Sequence, residues 1–126
     1  LCADHDVPLV VIEHRDDMDT ISELEKSISK VRRRMTITKK GDDAFEGTNL
    51  AQVLGTWNVL SIVLMGLNTG ACVKLTAISA NRLGYGVRIS PALVADAEQE
   101  YEGTALELFR ERGFLHFGAL SSLFEQ

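Results

Sequence analysis

The first apolar run, "VPLVVIE" (7–13), is short and β-branched with its one proline at the start, which is the pattern of a buried strand. The period then changes. Met18, Ile21, Leu24, Ile28 and Val31 fall three or four positions apart and predict an amphipathic helix from Met18 to Arg34. Its ends agree with the helix dipole, with Asp16, Asp17 and Asp19 at the start and Lys30, Arg32, Arg33 and Arg34 at the close. "MTITKKGDDAF" (35–45) returns to alternation, Met35 and Ile37 against Thr36 and Thr38, and predicts a strand whose partner begins soon after Gly41. The segment from Gly47 to Thr56 fits either a strand or a helical turn. "WNVLSIVLMGLNTG" (57–70) reads as a short apolar helix capped by Asn58 and loosened at its end by Gly66 and Gly70. "ACVKLTAIS" (71–79) reads as the next strand, with Val73, Leu75 and Ala77 toward the core. A glycine-containing loop (80–91), a helix within 92–112 and an apolar tail (113–126) that packs back on the body complete the chain. Strand, helix, strand, strand, helix, strand, helix is the order of an α+β sandwich with helices on one face of an antiparallel sheet.

Composition narrows the class. With 126 residues and 45% apolar content the chain is expected to form one domain without metal or disulfide staples. A net charge of −5 gives no broad basic field, so neither nucleic acid nor an anionic membrane surface is an expected partner. Cys2 and Cys72 lie far apart at no ligand spacing, which points to reduced thiols rather than a zinc site or a disulfide. The run from Val59 to Leu67 is too short to span a bilayer, and "LCADHD" carries acids where a signal peptide is basic. A cytoplasmic location with no cofactor is the expectation.

"NVLSIVLMGLNTGACVKLTA" (58–77) resembles the HPr family, the histidine-containing phosphocarriers of the bacterial sugar phosphotransferase system. "MTITKKG" looks like that family's second strand and turn, and "EYEGTALELFRERGF" like its last helix. The resemblance runs from about Val7 to Phe114 and implies an open-faced sandwich, a four-stranded antiparallel sheet of order β-α-β-β-α-β-α with a C-terminal extension. Segments 42–56 and 79–95 then stand as insertions. The site motif departs from the family. Placed without gaps, Asp17 occupies the position of the phosphoryl-accepting histidine, Asp19 that of its arginine, and Asn58 that of a regulatory serine. The resemblance therefore implies a non-enzymatic regulatory or adaptor protein, which binds a phosphotransferase enzyme or regulator through Val59, Leu60 and Val63.

Two other readings remain open. His14, followed by Arg15, is a shifted candidate for phosphorylation, although Asp16, Asp17 and Asp19 would each repel the phosphoryl group by about 1 kcal/mol. A small-ligand sensor with a pocket built by the insertions is the other. The three aspartates are read as helix-capping groups rather than cation ligands, "KVRRR" as a solvated helix end, and His116 as a packed or surface histidine. Cys72 is read as a small buried hydrophobe with an inert thiol, and Tyr85, between two glycines, as either a loop plug or a presented aromatic.

Overall fold

The computed structural model describes residues 1–15 and 20–125. Four strands and four helices alternate as two strand–helix–strand units. The first unit is β1 (Leu9–His14), α1 (Ser22–Ile28) and β2 (Arg34–Lys39). A short helix α2 (Leu50–Thr56) leads to the second, which is β3 (Ser61–Leu67), a π turn (Thr69–Val73) running into α3 (Lys74–Arg82), and β4 (Gly86–Ala95). Helix α4 (Gln99–Glu111) and a 3-10 turn (Leu120–Ser122) close the chain.

Both strand pairs are parallel. Leu9 to His14 run beside Arg34 to Lys39, and Ser61 to Leu64 beside Gly86 to Ile89, with a break in register before Gly66 pairs with Val94. Parallel neighbours need a crossover of a dozen or more residues, and α1 and α3 provide it. The expected four-stranded antiparallel sandwich is thereby corrected to a parallel α/β arrangement. The segments read as insertions, 42–56 and 79–95, carry α2 and β4.

The correction starts in two elements. The run read as a helix at 57–70 forms β3, because a short apolar run without a clear period fits a strand of a parallel sheet as well as it fits a helix. The run read as a strand at 71–79 lies in the π turn and α3. Its buried residues are Val73, Thr76, Ala77 and Ala80, spaced by three, one and three as on a helix, while Leu75 is 39% exposed. Among the described residues no strand forms between Gly41 and α2. Turns lead instead to α2, which buries Leu50, Val53 and Leu54.

Within α1 no residue is buried, so the predicted stripe packs poorly: Ile21 and Leu24 are exposed, and of its described positions only Val31, beyond the helix, is buried. The proposed aspartate caps at Asp16, Asp17 and Asp19 lie outside the described residues. Arg34 serves the helix exit as its charge predicts, donating to the carbonyls of Val31 (2.8 Å) and Ser29 (3.3 Å).

Two apolar clusters form the core. Ile37, Ala44, Leu50, Val53 and Leu54 gather between the first unit and α2, with Ile62 of β3 packed against them. Val73, Ala77, Ile89, Val94, Ala105, Phe109 and Phe114 gather between the second unit and α4. The tail adds a short parallel bridge from Leu115 to Ile89 and buries Leu123 completely.

Candidate active site

In open parallel sheets, functional groups collect where strands end at their carboxyl edges, because the loops there are free to vary. Here β2 ends in Lys39 and the turn after it carries Asp42 and Asp43, while β3 ends in a turn that carries Thr69 to Cys72. Chain reversal after β3 relies on Gly66 (φ 146°) and Asn68 (φ 63°, ψ 60°), both in conformations that L side chains seldom adopt.

Two bonds tie the turn after β2 to α3, the helix that follows the second turn. Ala44 N–H donates to Thr76 Oγ1 at 3.0 Å, and the Ser79 hydroxyl donates to the Asp43 carboxylate. At their meeting point Cys72 Sγ lies 3.6 Å from Asp42 Oδ1. Lys39 is 6% exposed and its Nζ donates to the Asp42 carbonyl at 2.8 Å. Buried lysines are rare without a carboxylate partner, and among the described residues none pairs with this one. A partly exposed thiol at a helix start, a carboxylate on its sulfur and a buried ammonium on the same aspartate form a nucleophile with an adjacent proton acceptor and positive charge.

The turn is fixed from below. Asp96, just after β4, accepts from Gly70 N–H at 2.8 Å and from Glu98 N–H at 3.0 Å. These bonds, the Gly70 one foremost, hold its carboxyl below the usual carboxylate range. Thr69 is fully buried, and its hydroxyl has no hydrogen-bond partner among the described residues. Elsewhere Glu13 accepts from the hydroxyl and N–H of Thr20, which lower its pKa, the hydroxyl more.

The residues singled out from sequence do not converge. His14 ends β1, paired in register with Lys39, and Arg15 follows it, exposed. Asp17 lies outside the described residues. Asn58 takes a left-handed conformation (φ 55°) in the turn between α2 and β3, not a helix cap. Val59 packs on the first cluster, Val63 lies in β3, and Leu60 is 84% exposed. Cys72, Lys39 and Asp42 were the residues sequence reasoning missed. The signal was present as an apolar strand followed by "LNTGACV", a turn-forming stretch opening a helix.

A parallel α/β layer with a nucleophilic thiol at a strand-to-helix turn defines the class as a cysteine-bearing α/β protein. Residues 2–122 match the isochorismatase domain family, and the chain belongs to it. Among solved structures it is similar to the nicotinamidase from Staphylococcus aureus, with a TM-score of 0.81 and 24% identity over 91% of this chain and 76% of that one. A nicotinamidase from Bacillus subtilis aligns with a TM-score of 0.78 and 20% identity, covering 94% and 78%. The pyrazinamidase of Pyrococcus horikoshii in complex with zinc aligns at 0.68 and 20%, covering 90% and 76%. No curated protein sequence matches the chain.

This family corrects the functional expectations. Its members are hydrolytic enzymes of parallel α/β fold, so the HPr resemblance, the non-enzymatic adaptor, the His14 phosphocarrier and the ligand sensor all fall. The shared "apolar helix, turn, strand" pattern was a strand, turn and helix. Among the described residues no group of three or more His, Cys, Asp or Glu is placed to hold a metal ion. No helix among them is long and apolar enough to cross a membrane.

Proposed function

We infer that this chain supplies the nucleophile of a cysteine-dependent amide hydrolase whose substrate is a small aromatic carboxamide of the nicotinamide kind. The observation that carries the reading is Cys72 Sγ at 3.6 Å from the Asp42 carboxylate, beside the buried Lys39. Asp42 accepts the thiol proton as sulfur attacks the amide carbon. Negative charge then grows on the carbonyl oxygen at the positive end of the helix that contains α3 and close to the Lys39 ammonium, where it is stabilised. The proton held by Asp42 passes to the amide nitrogen as the C–N bond breaks, so that ammonia leaves, and water then cleaves the thioester to the carboxylic acid and returns the thiol. The carboxamide class is supported by the solved relatives, which are nicotinamidases and a pyrazinamidase. A working thiolate also fits a reducing, cytoplasmic compartment.

The test is ammonia release from nicotinamide and pyrazinamide by the wild type and by Cys72→Ser. Loss of about a thousandfold or more in the variant, with unchanged circular dichroism, is expected for removal of a nucleophile. Equal turnover by both proteins would overturn the assignment of Cys72. Failure of the wild type on both amides, with turnover of another carboxamide, would overturn the substrate class alone.

A further inference from the structure

We propose that Thr76 and Ser79 are positioning residues for the Cys72 thiol and the Asp42 carboxylate: acting through Ala44 and Asp43, they fix the turn after β2 against α3 and so set the distance between the two groups. This rests on the proposed function for the roles of Cys72 and Asp42, and neither Thr76 nor Ser79 is assigned contact with substrate.

The sequence places three polar side chains in one row. Cys72, Thr76 and Ser79 are spaced by four and three, and at about 100° per residue they share one side of the helical segment that runs from the π turn into α3. Val73, Ala77 and Ala80 repeat that spacing one position later, about 100° further round, and all three are buried, Val73 and Ala77 in the cluster with Phe109. The apolar row seats the helix in the core, and the polar row faces the turn after β2.

Each member of the polar row meets one residue of that turn. Cys72 Sγ lies 3.6 Å from Asp42 Oδ1, Thr76 Oγ1 accepts from Ala44 N–H at 3.0 Å, and the Ser79 hydroxyl donates to Asp43 Oδ2. Consecutive turn residues, 42 to 44, are thus matched to positions spread over about two turns of helix. The Thr76 bond is sheltered from water, with Thr76 6% exposed and Ala44 3%. Asp43 also accepts from Phe45 N–H at 2.9 Å, so one carboxylate shapes its own turn and ties that turn to α3.

Asp42 needs that support. It is exposed, and a thiol is too weak a donor to hold a solvated carboxylate by itself. Its backbone holds it instead, fixed on one side by Lys39 Nζ, which donates to its carbonyl at 2.8 Å, and on the other by the bonds to Asp43 and Ala44. Reacting groups depend on neighbours that do not react to keep their geometry, and a misplacement of about 1 Å can cost about a hundredfold in rate. Thr76 and Ser79 lie on the helix that the thiol opens, so they place the proton acceptor relative to the nucleophile with no other element between them.

The first test needs no substrate. Alkylation of Cys72 by iodoacetamide at pH 7 is timed by mass spectrometry, which separates it from Cys2, in the wild type, Asp42→Asn, Ser79→Ala and the double variant. Removing the Asp42 charge is expected to change the wild-type rate by about threefold or more, and the Ser79→Ala rate by less than about 1.5-fold, a coupling that the double-mutant cycle isolates. Thr76→Val gives a second cycle with the same expected loss. Ser79→Thr and Thr76→Ser, which keep a hydroxyl, should retain the wild-type coupling. Ala77→Gly, on the apolar row, lowers stability without touching the turn and should retain it too. An Asp42 effect of equal size in the wild type, Ser79→Ala and Thr76→Val would overturn the proposal, and loss of coupling in Ala77→Gly would do the same by making it a matter of stability. In amide hydrolysis Ser79→Ala should lower kcat by about tenfold or more with KM within about twofold. Coupling at the thiol without hydrolysis of any carboxamide would sink the proposed function and leave the positioning roles intact, whereas no effect of Asp42→Asn on the wild-type thiol would sink both.

Discussion

At Lys39 the site and the fold make opposite demands. A buried ammonium whose one hydrogen bond among the described residues is to the Asp42 carbonyl weakens the core, and the proposed function gives it a use through its charge on the aspartate that meets Cys72. Lys39→Met keeps the apolar stem and removes the charge. Stability should be unchanged or rise by about 1 kcal/mol in urea unfolding, while amide hydrolysis falls by about a hundredfold or more. Unchanged hydrolysis would leave the lysine a structural role only. Asp96 acts differently, through pH. Its carboxyl is held below the unfolded value by the N–H groups of Gly70 and Glu98, so its contribution is complete above the unfolded carboxylate pKa and is lost as pH falls through the folded one. Asp96→Ala should therefore unfold at lower urea than wild type at pH 7, and the gap should close between about pH 5 and pH 2. A gap independent of pH would show that packing, not the ionised carboxylate, is what the variant removes. Neither residue was legible beforehand. A buried lysine and a loop aspartate look like ordinary surface charges until the fold places them.

Among the elements, β1 and β2 could be read from sequence because "VPLVVIE" has a clear strand composition and "MTIT" alternates. β3 and α3 were read with their types exchanged, and the reason is physical. "SIVLMGL" is apolar without the alternation that identifies strands, and Val73, Leu75 and Ala77 alternate by accident while Val73, Thr76, Ala77 and Ala80 carry the true period. That exchange moved Cys72 from a helix start into a strand and hid the site. Gly70 was read as loosening a helix end, yet its role is close approach. A Cβ there would lie 2.8 Å from Tyr101 Cβ and 3.1 Å from Tyr101 O on α4. Gly70→Ala should cost about 1–3 kcal/mol by thermal or urea unfolding, as overpacking does. Gly103→Ala, inside α4 with open space around it, should instead gain about 0.5–1 kcal/mol. Equal effects would mean that α4 yields to the turn and does not press against it.

For the whole molecule, the question is whether two strand pairs with separate clusters unfold as one. Besides Ile62 of β3, which packs on the first cluster, ties between them run through α3. On one side its Ala77, with Val73 of the π turn before it, lies in the cluster with Phe109, and on the other its Thr76 and Ser79 hold Ala44 and Asp43 of the turn after β2. Strain or loss in one cluster should reach the other through this helix. Phe109 is fully buried beside α4's partners and lies in the second cluster, whereas Trp57 packs on the first. Phe109→Ala should cost about 3–5 kcal/mol, the usual result of emptying an aromatic site. If α3 couples the halves, Trp57 fluorescence and far-ultraviolet circular dichroism will report the same lowered midpoint, as a two-state transition requires. If the Trp57 midpoint stays at the wild-type value while the circular dichroism falls in two steps, the hydrogen bonds from Thr76 and Ser79 are too weak to join the units. Each strand pair would then melt alone.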